Sequence, residues 1–252
     1  MGDIQTDQGE SLELQYVPAT EFQRLLRATS DAVARTRAFA ALGRINTLYM
    51  IAGAWSGHIG TSFSSLEIMS WLFLNELRDL DKGPDACDLF FSSKGHDAPA
   101  LYNVLIGLGL LPADKLHQLR RLHGLPGHPH VETPFIQANT GSLGMGISKA
   151  KGFVLANRLQ GRTGEVYVLT GDGELQEGQF WESLGSAANQ GRRRALLPST
   201  RGPRLLPPAP RSGEASTTPV RTAPTARRRS GTRARRDRPT GRARRRGPPR
   251  RP

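Results

Sequence analysis

Three histidines stand directly after a glycine: Gly57-His58, Gly95-His96 and Gly127-His128. An imidazole donates and accepts hydrogen bonds near neutral pH, so it suits binding oxygen atoms and moving protons. Taken singly, each is an ordinary loop histidine. His117, His123 and His130 lie in no comparable setting and read as surface residues. The fourth feature is Thr170-Gly-Asp-Gly-Glu174, which follows an apolar run. Glycines allow positive φ and close approach of main-chain amides to a ligand, and a helix start beyond them favours anions. A carboxylate such as Asp172 beside a diphosphate requires a cation between them, and Mg²⁺ or Ca²⁺ fits an oxygen donor set. The plainer alternative is a tight strand-to-helix turn with a capping Asp, and Glu174 reads as the acid at that helix start.

The elements that would position these residues alternate. Residues 1–20 are polar and read as a flexible leader. Phe22, Leu25, Leu26, Val33, Leu42, Ile45 and Leu48 recur at helical steps, predicting a helix from Glu21 to about Met50. Gly53–Gly60 forms a loop, and Ser64-Ser65 is placed to cap a second helix with Glu67 in its first turn. Asp88–Ser92 predicts a strand, Ser93–Asp97 a loop, and Pro99 a helix to about Gly109. Pro112 opens another helix over Ala113–Leu122. The Pro/Gly/His stretch Gly124–Gly141 is long enough to be functional. Ile147–Leu159 follows as a helix, Glu165–Thr170 as the clearest strand and Gln176–Asn189 as the last helix, with Phe180 and Trp181 in the core. The class predicted is α/β, a mostly parallel sheet covered by helices on both faces, with ligands beyond the carboxyl ends of its strands.

Composition divides the 252 residues near Gly191. Arg192–Pro252 holds 20 Arg, no Lys, 11 Pro and 2 acids, a net +18. Residues 1–191 carry 15 bases and 20 acids, a net −5, so the basic isoelectric point is a property of the tail alone. No run approaches the roughly 20 apolar residues of a membrane span. One cysteine, Cys87, allows no internal disulfide and fits a reducing cytoplasm. No Cys/His spacing typical of zinc occurs.

The full run Gly171-Asp-Gly-Glu-Leu-Gln-Glu-Gly-Gln-Phe-Trp-Glu182 resembles the diphosphate-binding segment of the transketolase family. Ser56-Gly-His-Ile-Gly60, Ser93-Lys-Gly-His96, Leu125-Pro-Gly-His-Pro129 and Thr140-Gly-Ser-Leu-Gly-Met-Gly146 resemble the family's other motifs, in the same order. Five ordered motifs are more specific than any one of them. The layout resembles the N-terminal subunit of a split transketolase, over a domain at residues 21–191. The resemblance implies the thiamine-diphosphate-binding fold and two-carbon ketol transfer between sugar phosphates, with the cofactor as electron sink. It implies that Asp172 binds Mg²⁺ (or Ca²⁺), that Gly171 and Gly173 present backbone to the phosphates, and that Gly141, Ser142 and Leu143 line the cofactor rings. His58, His96 and His128 would surround the reacting carbon. Glu177 and Glu182 would lie at the subunit interface. Solvated helix carboxylates are the alternative for these two, and simple packing is the alternative for Leu143.

The family's second domain, which supplies the glutamate for the cofactor's aminopyrimidine and most substrate-phosphate contacts, has no counterpart in the motifs. The resemblance therefore implies a C-terminal transketolase subunit carrying that pyrimidine-binding domain, in a dimer of heterodimers. It implies weak or no activity and cofactor binding by this chain alone. The family also places an Asn metal ligand about thirty residues after the Asp, whereas no Asn follows Asn189. The residues of 192–252 are mostly those of GC-rich codons, as a shifted reading frame in a GC-rich gene would give, and their Arg/Pro content predicts disorder. Two alternatives stand beside the transferase: a cofactor-binding relic without turnover, and a nucleic-acid binder acting through the basic tail.

Overall fold

Two apolar runs, β3 (Leu89–Ser92) and β4 (Val166–Gly171), pair in parallel in the computed structural model, with Leu89 opposite Val166 and Ser92 opposite Leu169. The structure describes residues 3–5, 11–82, 88–189, 195–196 and 199–200. Side chains alternate across a strand, and the two faces of this pair go to different partners. Phe90, Tyr167 and Leu169 join a large core with Phe22, Phe39, Leu66, Met69 and Tyr102. Leu89, Phe91, Val166 and Val168 face Ala150, Phe153 and Val154 of helix α5 (Gly146–Leu159). Helices thus cover both faces, as the α/β pattern predicts.

The large core is built by α1 (Ala19–Ala28), α2 (Ala32–Ala54), α3 (Ile59–Trp71) and α4 (Ala98–Gly107). All ten residues of α4 are buried, which is why its sequence is apolar on nearly every side, with the buried Asn103 donating to the Gly43 carbonyl at 2.6 Å. α6 (Gly178–Asn189) packs on α5.

Four local expectations are corrected. The helix over Glu21–Met50 is two helices, because Asp31 accepts from the Ala34 N–H and starts α2 afresh. The second helix begins at Ile59, not at Ser64-Ser65. Both serine hydroxyls instead donate back to the Thr61 carbonyl inside the helix, and Ser62 and Ser65 are fully buried against the other helices. Pro112 opens only a short 3₁₀ turn, Ala113–His117. Burial of Leu119 and Leu125, which bridge one another, turns the chain there, with Arg120 and His123 at positive φ. Trp181 is 60% exposed rather than in the core, while Phe180 is buried as expected.

The leader is partly structured. β1 (Asp3–Gln5) and β2 (Ser11–Glu13) pair antiparallel, and Asn46 exchanges two hydrogen bonds with Val17 at 2.6 and 2.9 Å. Beyond Gly191, β5 (Ala195–Leu196) and β6 (Ser199–Thr200) pair in parallel with β4. Strand pairing therefore continues past the point where composition changes. The rest of the Arg/Pro-rich tail lies outside the described residues, as does Cys87.

Candidate functional site

The carboxyl ends of β3 and β4 carry the candidate residues. After β3 the chain turns through Ser93–Asp97 into α4, with Gly95 at φ 71°. A Cβ on Gly95 would lie 2.7 Å from the Gly141 nitrogen, so the loop can press on the 140–146 segment only as glycine. Beneath this turn sits a buried polar network. Asp97, fully buried, accepts from Ser65 Oγ and Ser92 Oγ at 2.9 Å each, and Lys94 Nζ lies 3.4 Å from the same oxygen and donates to Ser65 Oγ at 2.9 Å. All of these partners gather on Oδ2, where the two hydroxyls and the lysine make the buried charge tolerable, while Oδ1 is buried without a hydrogen-bond partner. The network fixes the main chain that presents His96. His96 Nδ1 donates to the Lys94 carbonyl at 3.0 Å, which leaves Nε2 as the ring's second polar atom.

His58, at the start of α3, places its ring centroid 5.2 Å from that of His96. Burial holds the His58 imidazole below its usual value, and the positive fields of His96 and Arg120 add to this. His128 is held low in the same way, by burial, then by Arg120, His58 and His96, against the opposing charge of Asp97. Its ring packs against Gly141, where a Cβ would lie 2.8 Å from His128 Cδ2. The three Gly-His loops, 70 residues apart in sequence at their extremes, thus form one cluster. The His58 and His128 rings, held low, can both donate to and accept from oxygen atoms at neutral pH.

The 140–146 segment links this cluster to the end of β4. Its Gly141 N–H donates to the Ser93 carbonyl. Ser142 and Leu143 are exposed, Leu143 at 39%, so Leu143 is not packing filler. Gly144, at φ 77°, is held by Glu174, whose carboxylate accepts from the Gly144 N–H at 2.9 Å. The same carboxylate accepts from the Gly171 N–H at 3.2 Å and from Ser93 Oγ. Glu174 does lie in the first turn of the 3₁₀ segment Gly173–Gln176, but it is only 2% exposed. Its bond to Gly171 also means that this amide is already engaged within the protein.

Asp172 follows at the exposed mouth of β4 and starts the 3₁₀ turn Gly173–Gln176. Around Gly173 there is open space, with nothing within 4 Å of a Cβ built there. Glu177 and Glu182 are exposed on the same segment. Among the described residues no three His, Cys, Asp or Glu side chains converge as a metal cluster. A single exposed carboxylate does match Mg²⁺ bound through one or two carboxylates plus phosphate oxygens. The glycine-lined opening at Gly173 and the buried hydroxyl of Thr140, without a hydrogen-bond partner beside Gly95, fit a polar phosphate-bearing ligand. Sequence reasoning misses Glu174, the Lys94–Asp97 pair and Arg120. Only the proximity of Glu174 to Asp172 in the glycine turn could have drawn notice.

A parallel sheet with helices on both faces and glycine loops at its strand ends is the architecture of a cofactor-binding α/β domain. Residues 35–196 match the family described as transketolase, thiamine diphosphate binding domain, and the chain belongs to that family. It is 36% identical over 170 residues to a transketolase of Pongo abelii, covering 66% of this chain and 26% of that protein. It is 39% identical over 137 residues to an apulose-4-phosphate transketolase subunit of Actinobacillus succinogenes, covering 52% of this chain and 49% of that protein. The transketolase structure from Campylobacter jejuni superposes with a TM-score of 0.61 at 27% identity, over 68% of this chain and 28% of that one. The chain therefore spans about a quarter of the Pongo abelii transketolase and about half of the Actinobacillus succinogenes protein. Among the described residues no helix is long and apolar enough to cross a membrane.

Proposed function

We propose that this chain is the N-terminal part of a split transketolase, holding the diphosphate end of thiamine diphosphate for two-carbon ketol transfer between sugar phosphates. The observation that supports this best is the meeting of three Gly-His loops with the Asp172 turn at the carboxyl ends of β3 and β4. When bound, thiamine diphosphate supplies the electron sink for cleavage beside a ketose carbonyl. Asp172 is assigned to Mg²⁺ (or Ca²⁺), and Gly173, in open space, to close approach of the diphosphate. Gly171 would serve through its lack of a side chain rather than its amide. Gly141, Ser142 and Leu143 line the ring end. His58, His96 and His128 bind substrate hydroxyls or phosphate oxygens and hold or move a proton.

The working unit proposed is residues 21–191, with 1–20 as leader and 192–252 as an Arg/Pro tail. A C-terminal transketolase subunit with the pyrimidine-binding domain would complete the site in a dimer of heterodimers, with Glu177 and Glu182 at the contact. The Actinobacillus succinogenes relative is itself named as one subunit of a transketolase, which is consistent with such a division. The single cysteine fits a cytoplasmic setting.

Titration of the full chain with millimolar thiamine diphosphate, with and without Mg²⁺, followed by amide NMR, tests the reading. Gly171, Asp172 and Gly173 should move only when Mg²⁺ is present, and Asp172→Asn should abolish that dependence. Signals that stay in place at saturating cofactor and metal, both for the chain alone and with a C-terminal transketolase subunit added, would sink the proposal.

A further inference from the structure

We infer that Glu174 is a positioning residue, a buried carboxylate that clamps three loops at the carboxyl ends of β3 and β4 into one rigid site. Its functional consequence rests on the cofactor reading above, while the clamp itself rests on geometry alone. The two oxygens are divided between loops. Oε1 takes the Gly144 N–H at 2.9 Å and the Ser93 hydroxyl, and Oε2 takes the Gly171 N–H at 3.2 Å. Ser93 begins the turn that presents His96, Gly144 lies in the segment that carries Gly141–Leu143, and Gly171 precedes Asp172. One side chain thus fixes the relative placement of a histidine, the ring-end segment and the metal-ligand candidate.

Further contacts tighten the clamp. A Cβ on Gly144 would lie 2.9 Å from Glu177 Cβ, so the 140–146 segment is wedged between the carboxylate of Glu174 and the stem of Glu177. The Glu177 N–H closes the turn onto the Glu174 carbonyl at 3.1 Å. A buried carboxylate that accepts several hydrogen bonds is costly to replace, because each donor left behind is buried without a partner. Both oxygens are required. A glutamine offers one acceptor and places an NH₂ against a donor N–H, while a leucine offers none.

Amide hydrogen exchange on the full chain tests this. Glu174→Gln should open one of the two amides, Gly144 or Gly171, and Glu174→Leu should open both, each by at least about tenfold. Amides of α2 and α4, such as Phe39 and Val104, should keep their protection. In a Mg²⁺-thiamine diphosphate titration the same order should hold, wild type binding best and Glu174→Leu weakest. Ser93→Ala removes only the hydroxyl arm and should leave both glycine amides protected, so it serves if the Glu174 variants do not fold. Ser93→Ala opening both amides would place the restraint elsewhere and overturn the clamp. Unchanged exchange at Gly144 and Gly171 in Glu174→Leu, or exchange raised equally in α2 and α4, would also overturn it. If the amides open as expected but wild type binds no cofactor even with a C-terminal transketolase subunit added, the clamp stands and the cofactor reading falls.

Discussion

Each end of the β3–β4 pair is anchored by a buried carboxylate, and the two anchors differ in kind. At the amino end Asp88, 4% exposed, receives the Arg78 guanidinium in a two-pronged pairing at 2.8 and 3.0 Å, together with the N–H groups of Arg78 and Glu165. At the carboxyl end Glu174 receives a hydroxyl and two glycine amides. A two-pronged guanidinium pairing fixes two side chains against each other. Hydrogen bonds to glycine amides fix main chain, and here they fix loops that pack through glycines rather than through large side chains. The amino end is built to hold the strands together, and the carboxyl end to hold loops in register around an opening.

Removal of Asp88 should produce the largest loss of stability. Asp88→Ala leaves the Glu165 and Arg78 amides without their acceptor and should cost about 3 kcal/mol in urea unfolding. The loss should be global, with exchange rising along β3 and β4 alike. A variant that loosened only the loops at the carboxyl end would break the distinction between the two anchors.

The carboxyl end should answer to smaller changes in shape. Gly95→Ala puts a methyl 2.7 Å from the Gly141 nitrogen at a φ of 71°. A cost of about 2 kcal/mol is expected from overpacking and left-handed backbone strain. The Gly141–Gly146 signals should shift while those around Asp88 stay fixed. Equal displacement at both ends would mean that the loop and the strands form one unit.

The strands at the centre of this comparison are visible in the sequence, because Leu89–Ser92 and Val166–Gly171 are continuous apolar runs ending at polar or glycine residues. The motif residues are visible for the same reason, since glycine next to histidine or aspartate is a local signal. What is not legible is where a side chain points once distant loops meet. Glu174 looks like any acid at a helix start, and only the arrival of Ser93 and Gly144 from elsewhere in the chain buries it. Ser64-Ser65 misleads in the opposite direction. Their local capping chemistry is overridden by packing of α3 on α2 and α4, which buries serines in mid-helix. Trp181 illustrates a third case. Its ring N–H finds the Leu175 carbonyl at 2.7 Å without burial, so an aromatic residue at a helical spacing need not be core.

Proton uptake separates the two ends with the smallest expected effect. Burial alone would raise the Asp88 carboxyl, but the hydrogen bond from Arg78, the amides of Glu165 and Arg78 and the Arg78 charge outweigh it and hold it below its ordinary 3.8. Its contribution is present above that value and is lost only as pH falls through the lower folded value. His58 and His128 are bases held below their ordinary 6.5. In that case the unfolded chain takes up protons first, so their environment favours the folded state fully above 6.5 and progressively less as pH falls below it. Stability should therefore decline between about pH 7 and pH 5 through the histidine cluster while the Asp88 anchor is still intact. Both rings are largely exposed, so the slope should be shallow. His117 is also held low, by burial above all, and it should supply a background slope. The double variant His58→Gln/His128→Gln should retain that background and lose the rest, measured as the difference in urea midpoint between pH 7.5 and pH 5.5. A double variant as pH-sensitive as wild type would show that the clustered imidazoles do not share the environment that places them around one site.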